Sequence, residues 1–399
     1  MLRGYCRGRH RGRHRGRSKV AFRLVIRDHA AMPVPSRACP VPSRPVPLPK
    51  GNGPVPFLNP TTPMQPKKIR LILIALAGLI FVPLPSLLGA DPWLDLPGGD
   101  GPGKGKHIVF IAAEEAYRSE ESMPVMAKIL SRIGFRCTVL FAIDPAKGTI
   151  DPTIKNNIPG LERLRDADLM VAFLRWRELP DDQMKEIIDY TESGRPIIGI
   201  RNATHPFRYV NRPDSPYARF DSSSKDPQGG WGRLVLGETW VSHYGKNLIE
   251  STRCDVAASA VEHPIFRGVK NSFWIPDDVY GISDSLSGDS TPVLMGQPLV
   301  GWSAQDAPSP DKQPQPIAWT KSYTGAAGKK ARIFTTTMGH GDAFKIEDYR
   351  RMLANAAFWS MGMESAIDPK ADMTIPGDYA PGPVGAKGLK SGLKPADLK

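Results

Sequence analysis

Residues 107–113 read His-Ile-Val-Phe-Ile-Ala-Ala, an unbroken apolar run of strand length. Such a run predicts a strand covered on both faces, because alternation appears only where one face meets water. The pattern then changes period. Val125, Met126, Ile129, Leu130 and Ile133 recur at helical spacing, which predicts an amphipathic helix. Glu120 and Glu121 suit its positive end, Ser119 or Ser122 is expected to cap it, and Gly134 stops it. Residues 135–143 and 168–174 are the second and third apolar runs. Asp181 opens a helix carrying Met184, Ile187 and Ile188, with Gly194 as its stop, and residues 196–200 form the fourth run.

Strand and helix alternate through this half of the chain. Alternation of this kind predicts parallel crossovers: a doubly wound, mostly parallel α/β sheet with helices on both faces, the four strands running parallel. Residues 211–232 are polar, with several Pro and Gly, and read as a long loop. Later strands are expected at 273–280, 291–295, 316–319 and 332–338, and a last helix at about 346–361. Residues 91–105 read as a Gly- and Pro-rich linker. Residues 365–399 read as a flexible tail, because they offer few apolar side chains.

Charge changes the picture at the N-terminus. The chain has 399 residues and a net charge of +13, which taken whole suggests a polyanionic partner. Residues 1–63, however, hold thirteen Lys or Arg against a single acid, Asp28, so they carry +12 and residues 64–399 carry +1. The body therefore has no electrostatic footprint for nucleic acid, and no nucleic-acid partner is expected. Residues 1–63 are basic and Pro-rich and are expected to be disordered. Met64 begins a basic segment with Lys67, Lys68 and Arg70. An apolar run over 71–82 follows, then a small residue, Ala90. That is the layout of a secretory signal peptide over 64–90. The expectations are that Met64 is the true start, that cleavage falls near Ala90, and that the product is exported to the periplasm or beyond. The twelve-residue run is shorter than a spanning helix needs, so no lasting membrane anchor is expected. Export leaves Cys137 and Cys254, which are either one disulfide or two buried thiols.

In a parallel sheet, ligands bind beyond the carboxyl ends of the strands. Four segments qualify: Glu114 to Glu121, Arg201 to His205, His243 to Gly245, and Gly339 to Asp342. Three of the five histidines after residue 91 lie there: His205, His243 and His340. Imidazole at such a place can move protons, bind metal or hydrogen-bond a sugar. The expected acid–base groups are His205 or His340, with Glu115 or Asp342 as the carboxylate partner. Tyr117, Arg118, Glu120, Arg201 and His243 are the expected substrate-binding residues, and Arg201, if buried, should pair with Glu120 or Glu121. Trp176, Trp231, Trp240 and Trp302 fall in loops and could stack on sugar rings. No cofactor is expected: GxGxxG after a strand, Walker A, HExxH and GxSxG are all absent. A divalent metal stays an alternative, although no His-x-His or His-x₃-His spacing supports it.

Five short pieces occur in order: Glu-Ala-Tyr-Arg-Ser-Glu-Glu-Ser at 115–122, Asn-Ile-Pro-Gly-Leu at 157–161, Gly-Ile-Arg-Asn-Ala-Thr-His at 199–205, Gly-His-Gly-Asp-Ala-Phe at 339–344 and Asn-Ala-Ala-Phe-Trp at 355–359. Together, over about residues 106–364, they resemble the trehalose-utilisation (ThuA-like) family. The resemblance implies a flavodoxin-like fold similar to class I glutamine amidotransferases. Those enzymes use a cysteine at the turn where this chain has Arg201 and Asn202, so amidotransferase chemistry is not expected. It also implies sugar metabolism, particularly of oxidised (3-keto) disaccharides, with a small carbohydrate as ligand. A hydrolase or lyase, a carbohydrate-binding module without turnover, and a scaffold for exported proteins are the readings to separate.

Overall fold

The computed structural model describes residues 91–283 and 285–399. The expected basic segment, signal peptide and Cys6 and Cys39 lie outside the described residues. Ten strands form one sheet. In chain order they are β1 (Trp93–Leu96), β2 (His107–Ala113), β3 (Arg136–Phe141), β4 (Leu169–Leu174), β5 (Ile197–Ile200), β6 (Thr252–Val256), β7 (Ser272–Ile275), β8 (Thr291–Pro298), β9 (Gln315–Thr324) and β10 (Lys330–Thr336). Across the sheet the order is β1-β3-β2-β4-β5-β10-β9-β8-β6-β7.

The parallel core is β3-β2-β4-β5-β10, with Ile108 opposite both Cys137 and Leu169, and Ile333 opposite Ile197. All seven residues of β2 are buried, as its unbroken apolar run requires. The helices α1 (Ser119–Arg132) and α3 (Glu347–Ser360) cover one face, and α2 (Asp181–Glu192) covers the other. The chain leaves β2 for β3 on one side, then returns across β2 to β4 on the other. That reversal opens a crevice at the carboxyl ends of β2 and β4.

Beyond β10 the sheet continues as antiparallel β9, β8, β6 and β7, and β1 is an antiparallel edge on the far side. The expected strand at 273–280 is interrupted. It leaves the sheet after Ile275, because Pro276 has no N–H for a ladder. Tyr280–Gly281 then pairs with Ser242–His243 in a separate two-stranded ribbon.

Three other expectations are corrected. Residues 91–105 are more than a linker: Trp93–Leu96 pairs with β3 and Leu94 is fully buried. The tail is not free. Tyr379 Oη donates to the Gly341 carbonyl at 2.9 Å, Gly385 N to Ala116 O at 2.9 Å, and Ile150 N to Leu393 O at 2.7 Å. Apolar side chains hold it down as well: Ile367 and Met373 are buried in the core, and Val384, Leu393 and Leu398 pack against it. The cap of α1 is neither Ser119 nor Ser122 through its hydroxyl. The Glu114 carboxylate accepts from Tyr117 N at 2.7 Å and Ser119 N at 3.1 Å. Cys137 and Cys254 are separate, buried thiols. Among the described residues no helix is long and apolar enough to cross a membrane.

Candidate active site at the carboxyl edge

Backbone strain marks the site first. Arg118, Trp176 and Arg201 have φ of 69°, 49° and 44°. These residues follow β2, β4 and β5, three neighbouring strand ends. Side chains with a Cβ avoid that region unless the surroundings enforce it, and such strain gathers at functional sites.

Arg201 is the centre. It is fully buried, and Nη1 meets Asp277 Oδ1 at 2.6 Å while Nη2 meets Asp278 Oδ1 at 2.7 Å. Nη1 also donates to the Thr337 carbonyl at 3.1 Å. The guanidinium lies over the Tyr117 ring at 3.9 Å and the Tyr280 ring at 4.4 Å, which offsets part of its lost hydration. Glu120 and Glu121 were the expected partners. Asp277 and Asp278 take that place because the break after Ile275 turns them inward under the end of β5. Burial raises Asp277 to about 6 despite Arg201, so it is still ionised near neutrality. Burial would raise Asp278 too, but Arg201 and a hydrogen bond from His243 outweigh it and hold it below its ordinary value.

Each histidine is set by a different neighbour. His243 Nδ1 is 2.5 Å from Asp278 Oδ2. An ionised carboxylate only accepts, so Nδ1 carries a proton and Nε2 is the ring nitrogen turned away from Asp278. His205 Nδ1 lies 3.2 Å from Thr204 Oγ1, whose one proton goes to the Arg201 carbonyl at 3.1 Å. His205 Nδ1 therefore donates as well. Burial first, then Arg175 and Arg201, push His205 well below its ordinary value. His340 has the opposite tautomer: Nδ1 accepts from Asp342 N at 3.0 Å, so Nε2 bears the proton. Burial, then Arg201, lower His340 to about 4, so at pH 7 it is a neutral donor. The three rings sit among aromatics. His205 contacts Trp176, Trp240 and Tyr280 at centroid distances of 5.7, 5.5 and 6.3 Å, His243 contacts Tyr280 at 5.1 Å, and His340 contacts Tyr117 at 6.2 Å and Trp302 at 5.8 Å.

Tyr117, Arg201, His205, His243 and His340 are thus brought together. His205 and His340 are linked through Tyr280, Arg201 and Tyr117. The other expected residues have different employment. Glu115 sits among Lys155, Arg175 and Arg177, with Oε2 2.6 Å from Lys155 Nζ and 2.9 Å from Arg177 Nη2. Burial alone would raise it, but the hydrogen bonds and charges of Arg175 and Lys155 bring it down to about 2, too low for a base at neutral pH. Asp342 pairs with Lys345 at 2.7 Å, and its carboxylate is 3.7 Å from His340 Nδ1. Arg118 is fully buried and donates to the Glu115 carbonyl at 2.9 Å and the Gly385 carbonyl at 2.6 Å, holding the tail in place. Glu120 lies beside it and is raised to about 8 by burial and by Glu114. Trp231 is core, 1% exposed, with Nε1 donating to Thr191 Oγ1 at 3.2 Å.

Sequence reasoning missed Asp277, Asp278, Tyr280 and Arg175. Two adjacent acids directly after Ile275-Pro276 were the available signal. A proline at the end of an apolar run releases the next residues from the ladder. Among the described residues no group of three or more His, Cys, Asp or Glu that could hold a metal ion occurs. A groove of about 350 Å³ does exist at the opposite edge, lined by Lys106, Asp168, Arg195 and Arg332. Most of its charges are paired: Lys106 with Asp168, Arg332 with Glu364, Lys330 with Asp289, and Arg195 donates to the carbonyls of Leu164 and Ala167. It has none of the strain or the imidazoles of the carboxyl edge.

A comparison with curated proteins returns no match. Among solved structures the chain is similar to a ThuA-like protein from Bacteroides uniformis, at 17% identity and a TM-score of 0.42, covering 68% of this chain and 96% of that one. It is also similar to a ThuA-like protein from Parabacteroides merdae, at 13% identity and a TM-score of 0.41, covering 69% and 95%. The family model described as trehalose utilisation matches residues 108–360. That span runs from β2 to the end of α3 and takes in every strand end that contributes to the cluster around Arg201. The chain belongs to the trehalose-utilisation (ThuA) family.

Proposed function

We propose that the carboxyl-edge cluster binds a small carbohydrate derivative, such as a 3-keto disaccharide, and transforms it by histidine and carboxylate acid–base chemistry. The base is His243. The observation that carries this reading is the 2.5 Å contact from its Nδ1 to buried Asp278, itself held by Arg201. A buried carboxylate that fixes the tautomer of an imidazole and stabilises its protonated form makes Nε2 an effective base. His243 is also the open member of the set, its side chain 31% exposed against 8% for His340. Neutral His340 supplies a proton-bearing Nε2 that can hydrogen-bond a carbonyl or hydroxyl oxygen, and His205 is a second acceptor against the indoles of Trp176 and Trp240. One basic and one donating imidazole around a common centre suit proton removal next to a polarised oxygen, as in a lyase or hydrolase acting on an oxidised sugar.

The family and the loop tryptophans support a sugar ligand, since an indole presents a flat apolar face and a wet edge. The test is a screen of the protein against native and 3-keto disaccharides, followed by His243→Asn. Loss of turnover by about 10²–10⁴-fold with an unchanged unfolding midpoint is the expected result. Turnover unaffected by the substitution would remove His243 from the chemistry, and ligand binding without turnover in the unmodified protein would favour the binding module. We further propose that the protein works outside the cytoplasm, which the signal-peptide layout of residues 64–90 supports.

A further inference from the structure

We propose that the end of the site nearest β2 and β4 receives the carboxylate of an acidic sugar, of the uronic-acid type. This inference rests on the sugar-site reading and narrows its substrate class. Three cations, Lys155, Arg175 and Arg177, share one carboxylate, Glu115. The neighbouring acid, Glu114, is spent on backbone, accepting from the N–H groups of Ala116, Tyr117 and Ser119. Among the described residues no other acid pairs with these three cations, so the cluster keeps a surplus of positive charge.

The surplus is open on one side. Arg177 is fully buried and saturated, donating also to the carbonyls of Arg175, Pro152 and Ile154 at 2.7, 3.0 and 2.7 Å. Arg175 uses only Nε and Nη2, both on Glu115 Oε1, and its side chain is 20% exposed. Lys155 exposes only its methylene stem: its Nζ is buried, 2.6 Å from Glu115 Oε2. Burial and the charge of Arg177 push Lys155 down to about 8 in spite of Glu115. Even with the charge of Glu114, which also reaches Arg175 and Arg177, two acids do not neutralise three cations. Glu115 also demonstrates that a carboxylate fits between these donors.

The cluster is contiguous with the proposed chemistry. The Arg175 guanidinium lies over the Trp176 ring at 4.5 Å, and Trp176 contacts His205 at 5.7 Å. One indole therefore separates a half-free guanidinium from the histidines. A sugar ring seated along that indole would place an exocyclic carboxylate against Arg175, with the buried Lys155 charge behind it, where charge-assisted hydrogen bonds in a half-buried setting are strong.

Methyl β-D-glucuronide and methyl β-D-glucoside, identical except at C6, separate the cases by titration calorimetry on the full chain. The glucuronide is expected to bind at least about tenfold more tightly, the equivalent of one charge-assisted contact. Arg175→Gln should erase the preference, and Lys155→Gln, which removes one charge behind it, should reduce it if the first variant fails to fold. Glu115→Gln should raise glucuronide affinity by freeing both donors, a sign that loss of structure would not produce. Equal affinity for the two glycosides, or a preference that survives both cation variants, overturns this inference and leaves the sugar site standing. Binding of neither glycoside overturns both. Tighter binding of glucose 6-phosphate than of the glucuronide overturns the assignment to a carboxylate.

Discussion

Glu115 and Asp278 are both carboxylates at a strand-end cluster, and their neighbours give them opposite uses. Glu115 faces three cations and is lowered to about 2; Asp278 divides its oxygens between Arg201 and His243. The first is a fixed anion that contributes to stability, the second an orienter for a base. The pH dependence follows from the shift at Glu115. Its folded value is depressed from 4.5, so its contribution is present above the unfolded value and is lost as pH falls through about 2. At 1.36 kcal/mol per unit, the full contribution is about 3 kcal/mol. Unfolding of the unmodified protein and of Glu115→Gln, compared between pH 6 and pH 2, should show a gap of that order at pH 6 that closes toward pH 2. A gap independent of pH would mean that Glu115 stabilises by packing rather than by charge.

At the scale of elements, the last segment of the chain matters more than its composition indicates. It crosses both loops that frame the cluster: Gly385 meets Ala116 and Arg118 next to Tyr117, and Tyr379 meets Gly341 next to His340. Each of these is a hydrogen bond to a backbone group that burial would otherwise leave unpaired, worth about 1 kcal/mol. Removing residues 379–399 should cost at least about 2 kcal/mol, or roughly 3 °C in unfolding midpoint for a folded body of this size. It should also weaken sugar binding, because Tyr117 and His340 lose their common brace. Thermal unfolding and calorimetry check both effects; a truncated protein with unchanged midpoint and affinity would return the segment to a passive tail. Elsewhere the elements were legible where burial is complete. Residues 107–113 and 169–174 are strands in the structure because nothing but a two-sided core tolerates such runs. The strand expected at 273–280 failed on one residue, Pro276, whose missing N–H ends the ladder and frees the two aspartates.

For the whole molecule, the position of charge along the chain sets the main expectation. Nearly all of the +13 lies in residues 1–63, and residues 64–90 follow the order basic, apolar, small. The protein recovered from its native cells should therefore begin near Asp91, with a nearly neutral body. Intact-mass measurement decides it: a species that retains Lys67, Lys68 and Arg70 would refute export by cleavage. The ten-stranded sheet makes a start near Asp91 compatible with the fold, since its first edge strand begins at Trp93.

By itself, the sequence determined four of the five strands of the parallel core, the three helices and the edge at which the strand-end residues meet. These follow from local hydrophobic period and from the rule that parallel strands end together. His205, His243, His340, Tyr117 and Arg201 could be named because each stands just past a strand or on a loop returning to that edge. Their partners could not. Asp278 lies 77 residues from Arg201 and 35 from His243, and no period or motif links positions so far apart. Tertiary structure alone decided that His243 rather than His205 has the carboxylate, that Glu115 is consumed by three cations, and that Arg118 braces a tail. The physical reason is that a side chain's protonation and use depend on which charges and carbonyls surround it after burial, and those neighbours are supplied by the crossing of distant segments.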